Sequence, residues 1–513
     1  MNVSHTKEGR GRRKLAAALL GFFSTCISVN VGAATLAEMS PEDRALLVNE
    51  MNASANTVGS KGLFYDDDPL PISISVSLDI EKNHVVVDMD ERIGPRTEYA
   101  ATEDLLDLIR FSILNQIDRI DGLRGVSFLF GGKPSTYWFP EPEPEPGPDP
   151  EQDDPHDGER IVEPAQLGRA PVVAISPGHG LYYNYRFKDW RPHRETTNGI
   201  LEDDITPVMA GFLASALQSD RVAVHNFRPE QNVLVHSPSG QPWWRLGVRY
   251  LLEKELPDHP EIWHAFASSQ ISDRERNEDL RSRPLYANFL GADAFLHVHT
   301  NAHISAEARG ARAIIHERGP DRRLAVNVLC SMRELIHSKD EFSSYSVPSQ
   351  PLALVGKGEN DHAKMPSVIV EVGFHTNPQD ALLLRNKEFQ GLAMRGVAKG
   401  YRLFREGKPC EDLAVKPVRE AFGRVGHDVY FPVGLTGNPA FPVSVTSRVL
   451  NCSGHYCPSQ WVRLFNQTEL EKHRVSFLCI RSNLGKPVEL SIDVRDDDGV
   501  AAKPATYKVV CGQ

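Results

Sequence analysis

Between residues 72 and 80 the apolar side chains Ile72, Ile74, Val76, Leu78 and Ile80 alternate strictly with polar or small ones. This is the period of a strand with one buried face. A turn at Glu81, Lys82 and Asn83 leads to a second strand at 84–89. The spacing of Leu105, Leu106, Ile109, Ile113, Leu114 and Ile117 predicts a helix capped by Thr102, and Asp121-Gly122 turns the chain into a strand at 126–130. From 169 to 406 the pattern changes to apolar strands and amphipathic helices in alternation. Strands are predicted at 171–175, 222–227, 294–299 and 367–372, and helices at 203–217, 280–290, 322–336 and 389–404. Such alternation implies an α/β unit, a mostly parallel sheet with helices on both faces. Beyond 406 come short β-rich runs at 441–450, 461–465, 475–480 and 488–494, which predict a small β-sandwich.

Composition divides the chain further. The run PEPEPEPGPDP at 140–150 and the acidic stretch after it have nothing apolar to bury, and alternating proline blocks helix and sheet. The organisation expected is a signal peptide at 1–34, a small ββαβ accessory module at 35–139 and a Pro/Glu-rich linker at 140–168. An α/β domain at 169–406 and a cysteine-containing β-rich domain at 407–513 follow. Arg10, Arg12, Arg13 and Lys14 precede an apolar run from Leu15 to Phe23, and Gly32-Ala33-Ala34 ends it, the plan of a cleaved secretory signal. Ser24, Thr25, Ser28 and Asn30 leave that run short of the ~20 residues that span a bilayer. The mature protein is therefore expected in the periplasm or outside the cell, with no membrane span. Cys330, Cys410, Cys452, Cys457, Cys479 and Cys511 remain after the leader, an even number that suggests disulfides, with a four-cysteine metal ribbon as the rival. A net charge of -11 leaves no basic stripe for nucleic acid.

Four motifs place a metal-friendly side chain at the edge of an apolar element: VVAISPGHG at 172–180, LEDDITPVMA at 201–210, FLHVHTNA at 295–302 and VIVEVGFHTNP at 368–378. His179, His299 and Glu371 fall at the carboxyl ends of predicted strands, where sites in open α/β sheets lie. Glu202 opens a helix. Taken alone, His179 reads as a loop histidine and Glu202 as an acid complementing a helix dipole. Together, two histidines, a glutamate and a further carboxylate are the donor set of zinc-assisted hydrolysis. His297 points to the same strand face as His299 but sits two residues deeper, as a core group. Asp203 and Asp204 read as capping, solvated acids.

In order and context the four motifs resemble the zinc-dependent N-acetylmuramoyl-L-alanine amidases of the Amidase_3 type. Glu202, Asp204, Ile205 and Ala210 match that family's Glu-x-Asp-(apolar)-x4-Ala helix. His299 with Asn301-Ala302 matches its (apolar)-x-His-x-Asn-Ala strand, and Glu371 matches the glutamate of its Glu-x-Gly-Phe-x-x-Asn-Pro run. The resemblance implies Zn2+ held by His179, Glu202 and His299, Glu371 as the catalytic general base and acid, and peptidoglycan as substrate. It covers about 240 residues. Arg228 and the run Leu280-Arg281-x-Arg283-x3-Ala287-Asn288 also match, their arginines as structural or anion-contacting residues. The chain departs from the pattern in an aromatic segment at 181–200 and an insertion at 230–279, whose tryptophans either stack on sugar or form a satellite core. The 35–139 module resembles accessory modules of the GerMN type. Alternatives are a zinc amidohydrolase or carboxypeptidase for smaller amides, and a peptidoglycan-binding regulatory protein with a degenerate site. A regulatory protein partner for the enzyme is left unidentified.

Overall fold

The computed structural model describes residues 34–513 except 61–62, 66–67, 97–104, 107, 111, 118, 121–122, 124, 139–169, 186, 195, 229–230, 232, 269–273, 304–305, 317, 355–357, 419 and 452–457. The leader up to residue 33, the Pro/Glu-rich linker, Thr102, Cys452 and Cys457 thus lie outside the described residues.

The first element, α1 (Pro41–Gly59), has no counterpart in the hydrophobic periodicity. It starts on Ser40, whose hydroxyl accepts from the Asp43 amide, with proline in its first turn and Glu42 and Asp43 beside the helix dipole. Leu47, Met51, Ala55 and Val58 form its buried stripe. Asn52 and Asn56 clamp it to β1 (Ile74–Asp79), their side-chain amides bonding both ways to the backbone of Val76 and Ile74. β1 pairs antiparallel with β2 (His84–Met89), which pairs parallel with β3 (Gly125–Phe130). Parallel pairing needs a crossover, and the turn of helix at Leu114–Ile117, with Leu105, Ile109 and Ile113 buried ahead of it, lies on that path. Ile80 falls outside the strand and is exposed.

The central sheet has six strands. In chain order they are β4 (Val172–Pro177), β5 (Ala223–Asn226), β6 (Ala294–Asn301), β7 (Arg312–Ile315), β8 (Leu352–Ala353) and β9 (Ser367–Phe374). Across the sheet the order is β8-β7-β9-β6-β4-β5. The four strands β9, β6, β4 and β5 are mutually parallel. β7 runs antiparallel to β9, because only ten residues separate it from β6, too few for a helical crossover.

Alternation sorts the strand side chains between two layers. Val173, Ile175, Leu296, Val298, Val368, Val370 and Val372 face a core shared with α2 (Glu202–Ser219), α5 (Gly319–Ile336) and α7 (Lys387–Arg405). Ala174 and Phe295 face the opposite layer, which contains α3 (Val248–Glu255) and α4 (Arg274–Phe289), and Ile369 faces the apolar core of the N-terminal segment. His297, His299 and Glu371 share the parity of this second set. Phe374, Ile314 and Leu354 complete a cluster continuous with Met51, Val87 and Phe130.

The C-terminal segment is β-rich. Val443–Val449 and Pro487–Arg495 lie at the middle of a five-stranded sheet, against which the ladder of Asp428–Pro432 with Arg474–Leu478 packs, Phe431 stacking on Tyr507 at 5.6 Å. Its core is continuous with that of α5 and α7. Cys330 of α5 bridges to Cys410, and Cys479 to Cys511. Lys399 on α7 is buried between Glu334 at 2.7 Å and Asp496 at 4.0 Å. Among the described residues no helix is long and apolar enough to cross a membrane.

α5 and α7 approach closely because Gly396 and Gly400 have no side chain. A Cβ at Gly400 would lie 2.5 Å from the Val328 Cα, and one at Gly396 2.5 Å from the Met332 Cα, both backbone atoms. Gly400→Ala is therefore expected to force the helices apart and lower stability by about 1–3 kcal/mol. A denaturation midpoint equal to that of the parent would show that the pair is not packed at this distance.

Candidate metal centre

The loop after β4 carries its histidine in an unusual backbone state. His179 has φ +58°, a left-handed conformation that costs a residue with a Cβ about 1–2 kcal/mol, and Gly180 follows at φ +132°. Buried side chains hold the loop there. Arg283 donates to the carbonyls of Pro177 and His179, both at 2.6 Å, and to the Ser176 hydroxyl at 2.8 Å. Arg228 donates to the carbonyl of Gly178 at 3.0 Å and to those of Asp203 and Trp244 at 2.7 Å. Of the matching arginines, Arg228 and Arg283 are thus structural pins. Asp203 is a correction to the sequence reading. It is fully buried, not solvated, and its Oδ1 accepts from the amides of Gly180 at 2.8 Å and His193 at 3.1 Å. Asp204 stays partly exposed and pairs with Arg245.

α2 begins beside this loop without a side-chain cap, and three acids occupy its first turn. Glu202, the first, is buried; its Oε1 accepts from the Thr300 amide at 2.8 Å. His179 Nε2 lies 3.3 Å from Glu202 Oε2, and His299 Nδ1 lies 3.3 Å from Glu202 Oε1. One donor atom each of His179, Glu202 and His299 falls within 4.8 Å of the others, and all three residues are buried. Glu202 Oε2 is shut off from solvent with no hydrogen-bond partner. A buried carboxylate oxygen facing an imidazole nitrogen without bonding to it is costly unless a cation lies between them. Donor chemistry and geometry both fit a divalent metal. Glu371 is also buried and pairs in register with His299 across β9 and β6. His297 lies outside the cluster, its Nε2 3.2 Å from the Ser367 hydroxyl, as its deeper position implied.

Two neighbours escaped the sequence reading. Glu359, on the short helix α6 (Gly358–Asp361), places Oε2 3.4 Å from His299 Nε2 and Oε1 3.6 Å from His297 Nδ1. His193, inside the aromatic segment, puts Nδ1 3.1 Å from His179 Nδ1 and receives Arg276 Nε at 3.3 Å. Neither sits in a periodic motif, and only folding brings them to the imidazoles. His375 lies one layer out, its Nδ1 2.9 Å from the Thr300 hydroxyl.

The insertion is tied down. The hydroxyls of Tyr185 and Tyr250 donate to the two oxygens of Glu275 at 2.6 and 2.5 Å, and Arg249 pairs with Glu275 and Glu278. Trp190 and Trp243 pack on Leu181, Tyr182, Leu246 and Tyr250, and Trp263 packs near Leu252 and Ile262. These tryptophans form satellite cores.

Charge in the cluster is balanced. Burial alone would raise Glu202, but His179 and His299 hold its carboxyl well below the usual range. Burial alone would lower His299; Glu359, Glu202 and Glu371 instead push it up to about 10. Burial, reinforced by the Arg276 guanidinium, keeps His193 neutral.

A family model described as Amidase_3: N-acetylmuramoyl-L-alanine amidase matches residues 173–402. Among solved structures, the CwlD amidase of Clostridioides difficile, in complex with the GerS lipoprotein, is 16% identical. That match covers 46% of this chain and 100% of its own, with a TM-score of 0.32. The catalytic domain of CwlV, an N-acetylmuramoyl-L-alanine amidase from Bacillus (Paenibacillus) polymyxa var. colistinus, is 17% identical over 46% of this chain and 99% of its own, with a TM-score of 0.29. AmiC2 of Nostoc punctiforme is 17% identical over 46% and 97%, with a TM-score of 0.30. No curated protein matches the chain.

Two outcomes are expected. A Cβ on Gly178 would lie 2.5 Å from the His299 ring, so Gly178→Ala should abolish tight divalent-metal binding while leaving the circular dichroism spectrum unchanged. Undiminished affinity by chelator competition would refute the site. A His299 pKa raised to about 10 means that a proton competes with the cation below that pH. Affinity should therefore rise with pH between 6 and 9 by up to about tenfold per unit, with proton release detectable by calorimetry in buffers of different ionisation enthalpy.

Proposed function

Residues 173–402 belong to the N-acetylmuramoyl-L-alanine amidase family, and on that premise we propose that this chain hydrolyses the amide bond between N-acetylmuramic acid and L-alanine in peptidoglycan. The observation that carries the proposal is the convergence of His179, Glu202 and His299, with Glu371 next to His299 in register, inside the segment that the family covers. We read 35–139 and 407–513 as flanking modules around that segment and the protein as exported, in keeping with the two disulfides.

In this reading His179, Glu202 and His299 hold a zinc ion, three protein donors leaving a position open as in catalytic sites. Bound zinc supplies Lewis-acid polarisation of the scissile carbonyl and of the attacking water. Glu371 takes the proton from that water as the C–O bond forms. It then returns the proton to the departing amide nitrogen as the C–N bond breaks. The products are a glycan bearing a lactyl carboxylate and a peptide with a free N-terminal L-alanine. Glu202 stays ionised through the cycle, since His179, His299 and the Thr300 amide outweigh the burial that would favour its neutral form.

Purified sacculi treated with the mature protein should release peptides with N-terminal L-alanine, detectable by mass spectrometry and suppressed by a zinc chelator. Release of other fragments, or none from a zinc-loaded protein, would overturn the substrate assignment. Glu371→Gln should keep zinc and fold but lower kcat by at least ~100-fold, the scale of a lost general base. A variant with parental kcat would remove Glu371 from the mechanism.

A further inference from the structure

We propose that Glu359 is a positioning residue for the metal site, fixing the His299 ring through Nε2 so that Nδ1 is the nitrogen presented toward Glu202. The inference rests on His299 being a metal ligand, as proposed above.

The two ring nitrogens of His299 face two different carboxylates. Nδ1 lies 3.3 Å from Glu202 Oε1, on the side of the donor cluster, and Nε2 lies 3.4 Å from Glu359 Oε2, on the far side. A ligating imidazole needs a partner for its other nitrogen, because that partner sets the tautomer and the ring orientation. Among the described contacts no hydrogen bond reaches His299 Nε2, and the group facing it is the Glu359 carboxylate at 3.4 Å. Glu359 is built for this. It is 7% exposed, and its second oxygen lies 3.6 Å from His297 Nδ1 and 3.9 Å from Arg283 Nε. The next residue, Asn360, is fully buried; its amide donates to the Ile314 carbonyl at 3.1 Å and its Oδ1 accepts from the Ser367 hydroxyl at 2.7 Å. Ser367 in turn meets His297 Nε2 at 3.2 Å. The residue after Glu359 is thereby tied to β7 and β9, while the carboxylate itself faces the two β6 histidines. Arg283, which also holds the His179 loop, stands beside it. This network gives a use to His297 and to α6, neither of which the proposed reaction requires.

The test is metal affinity of the full-length protein, with zinc and with cobalt as a spectroscopic probe. Glu359→Ala should weaken zinc binding about 10–100-fold, the usual effect of losing such a partner. Glu359→Gln keeps the shape and one acceptor and should recover part of that loss. His299→Ala serves as the reference. If it leaves zinc affinity unchanged, the ligand assignment fails; if it abolishes binding while both Glu359 variants bind within threefold of the parent, only the role of Glu359 fails. Should Glu359→Ala not fold, the glutamine variant decides, by its affinity and its cobalt spectrum. A shifted band at unchanged intensity supports positioning. A large rise in d–d intensity would mean a lost metal–oxygen bond, making Glu359 a ligand and overturning the proposal.

Discussion

Burying carboxylates beside imidazoles is the constraint on which the central part of this molecule depends. Glu202, Glu359 and Glu371 are all removed from water beside the central strands of one mixed sheet. Taking an ion out of water costs several kcal/mol, returned only by close opposite charge or hydrogen bonds. His179 and His299 supply that charge when protonated, and a divalent cation supplies it better. The same requirement explains the arginines. Arg228 and Arg283 are wholly buried and donate to backbone carbonyls of the loop that carries His179, Arg283 also pairing with Asp279 at 2.8 Å, so that loop is held by charge-assisted bonds rather than by its own local preference.

That arrangement accounts for the strain at His179. A left-handed residue persists only where its surroundings over-determine it. Here Asp203 fixes the amide of Gly180, Arg283 the carbonyl of His179 and Arg228 the carbonyl of Gly178. The side chain is thereby aimed at Glu202 before any cation arrives, which is how a site avoids reorganising during turnover. His193 extends the control outward from within the aromatic segment. Tyr185, Tyr250 and Glu275 then tie that segment to the 230–279 insertion. Added sequence has become part of the wall of the site.

The flanking segments are joined to this centre by continuous apolar clusters, not by surface contacts alone. Ile314, Ile369 and Phe374 of the sheet share a core with α1, β2 and β3, while α5 and α7 share one with the C-terminal strands. Lys399, enclosed by Glu334 and Asp496, and the Cys330–Cys410 bridge reinforce the second junction. Core mutations in either flank are thus coupled to the sheet that positions β6 and β9.

Local pattern alone determined the strands and helices around the site, because period-two and period-3.6 burial is written in residues close along the chain. It also singled out His179, Glu202, His299 and Glu371, each at a predicted strand end or helix start within a motif resembling that of a known family. α1 was legible in principle through Ser40-Pro41-Glu42-Asp43, a capping signal, but its weak apolar stripe hid it from a reading by periodicity. Tertiary structure decided the rest. The antiparallel place of β7 followed from a short connection, and the burial of Asp203 from the loop folded over it. The meeting of Glu359 with His299, and of His193 with His179, depended on separations of 60 and 14 residues. Such pairs leave no local signature, because a buried charge is satisfied by whatever partner the fold brings within reach, and sequence spacing does not encode that distance.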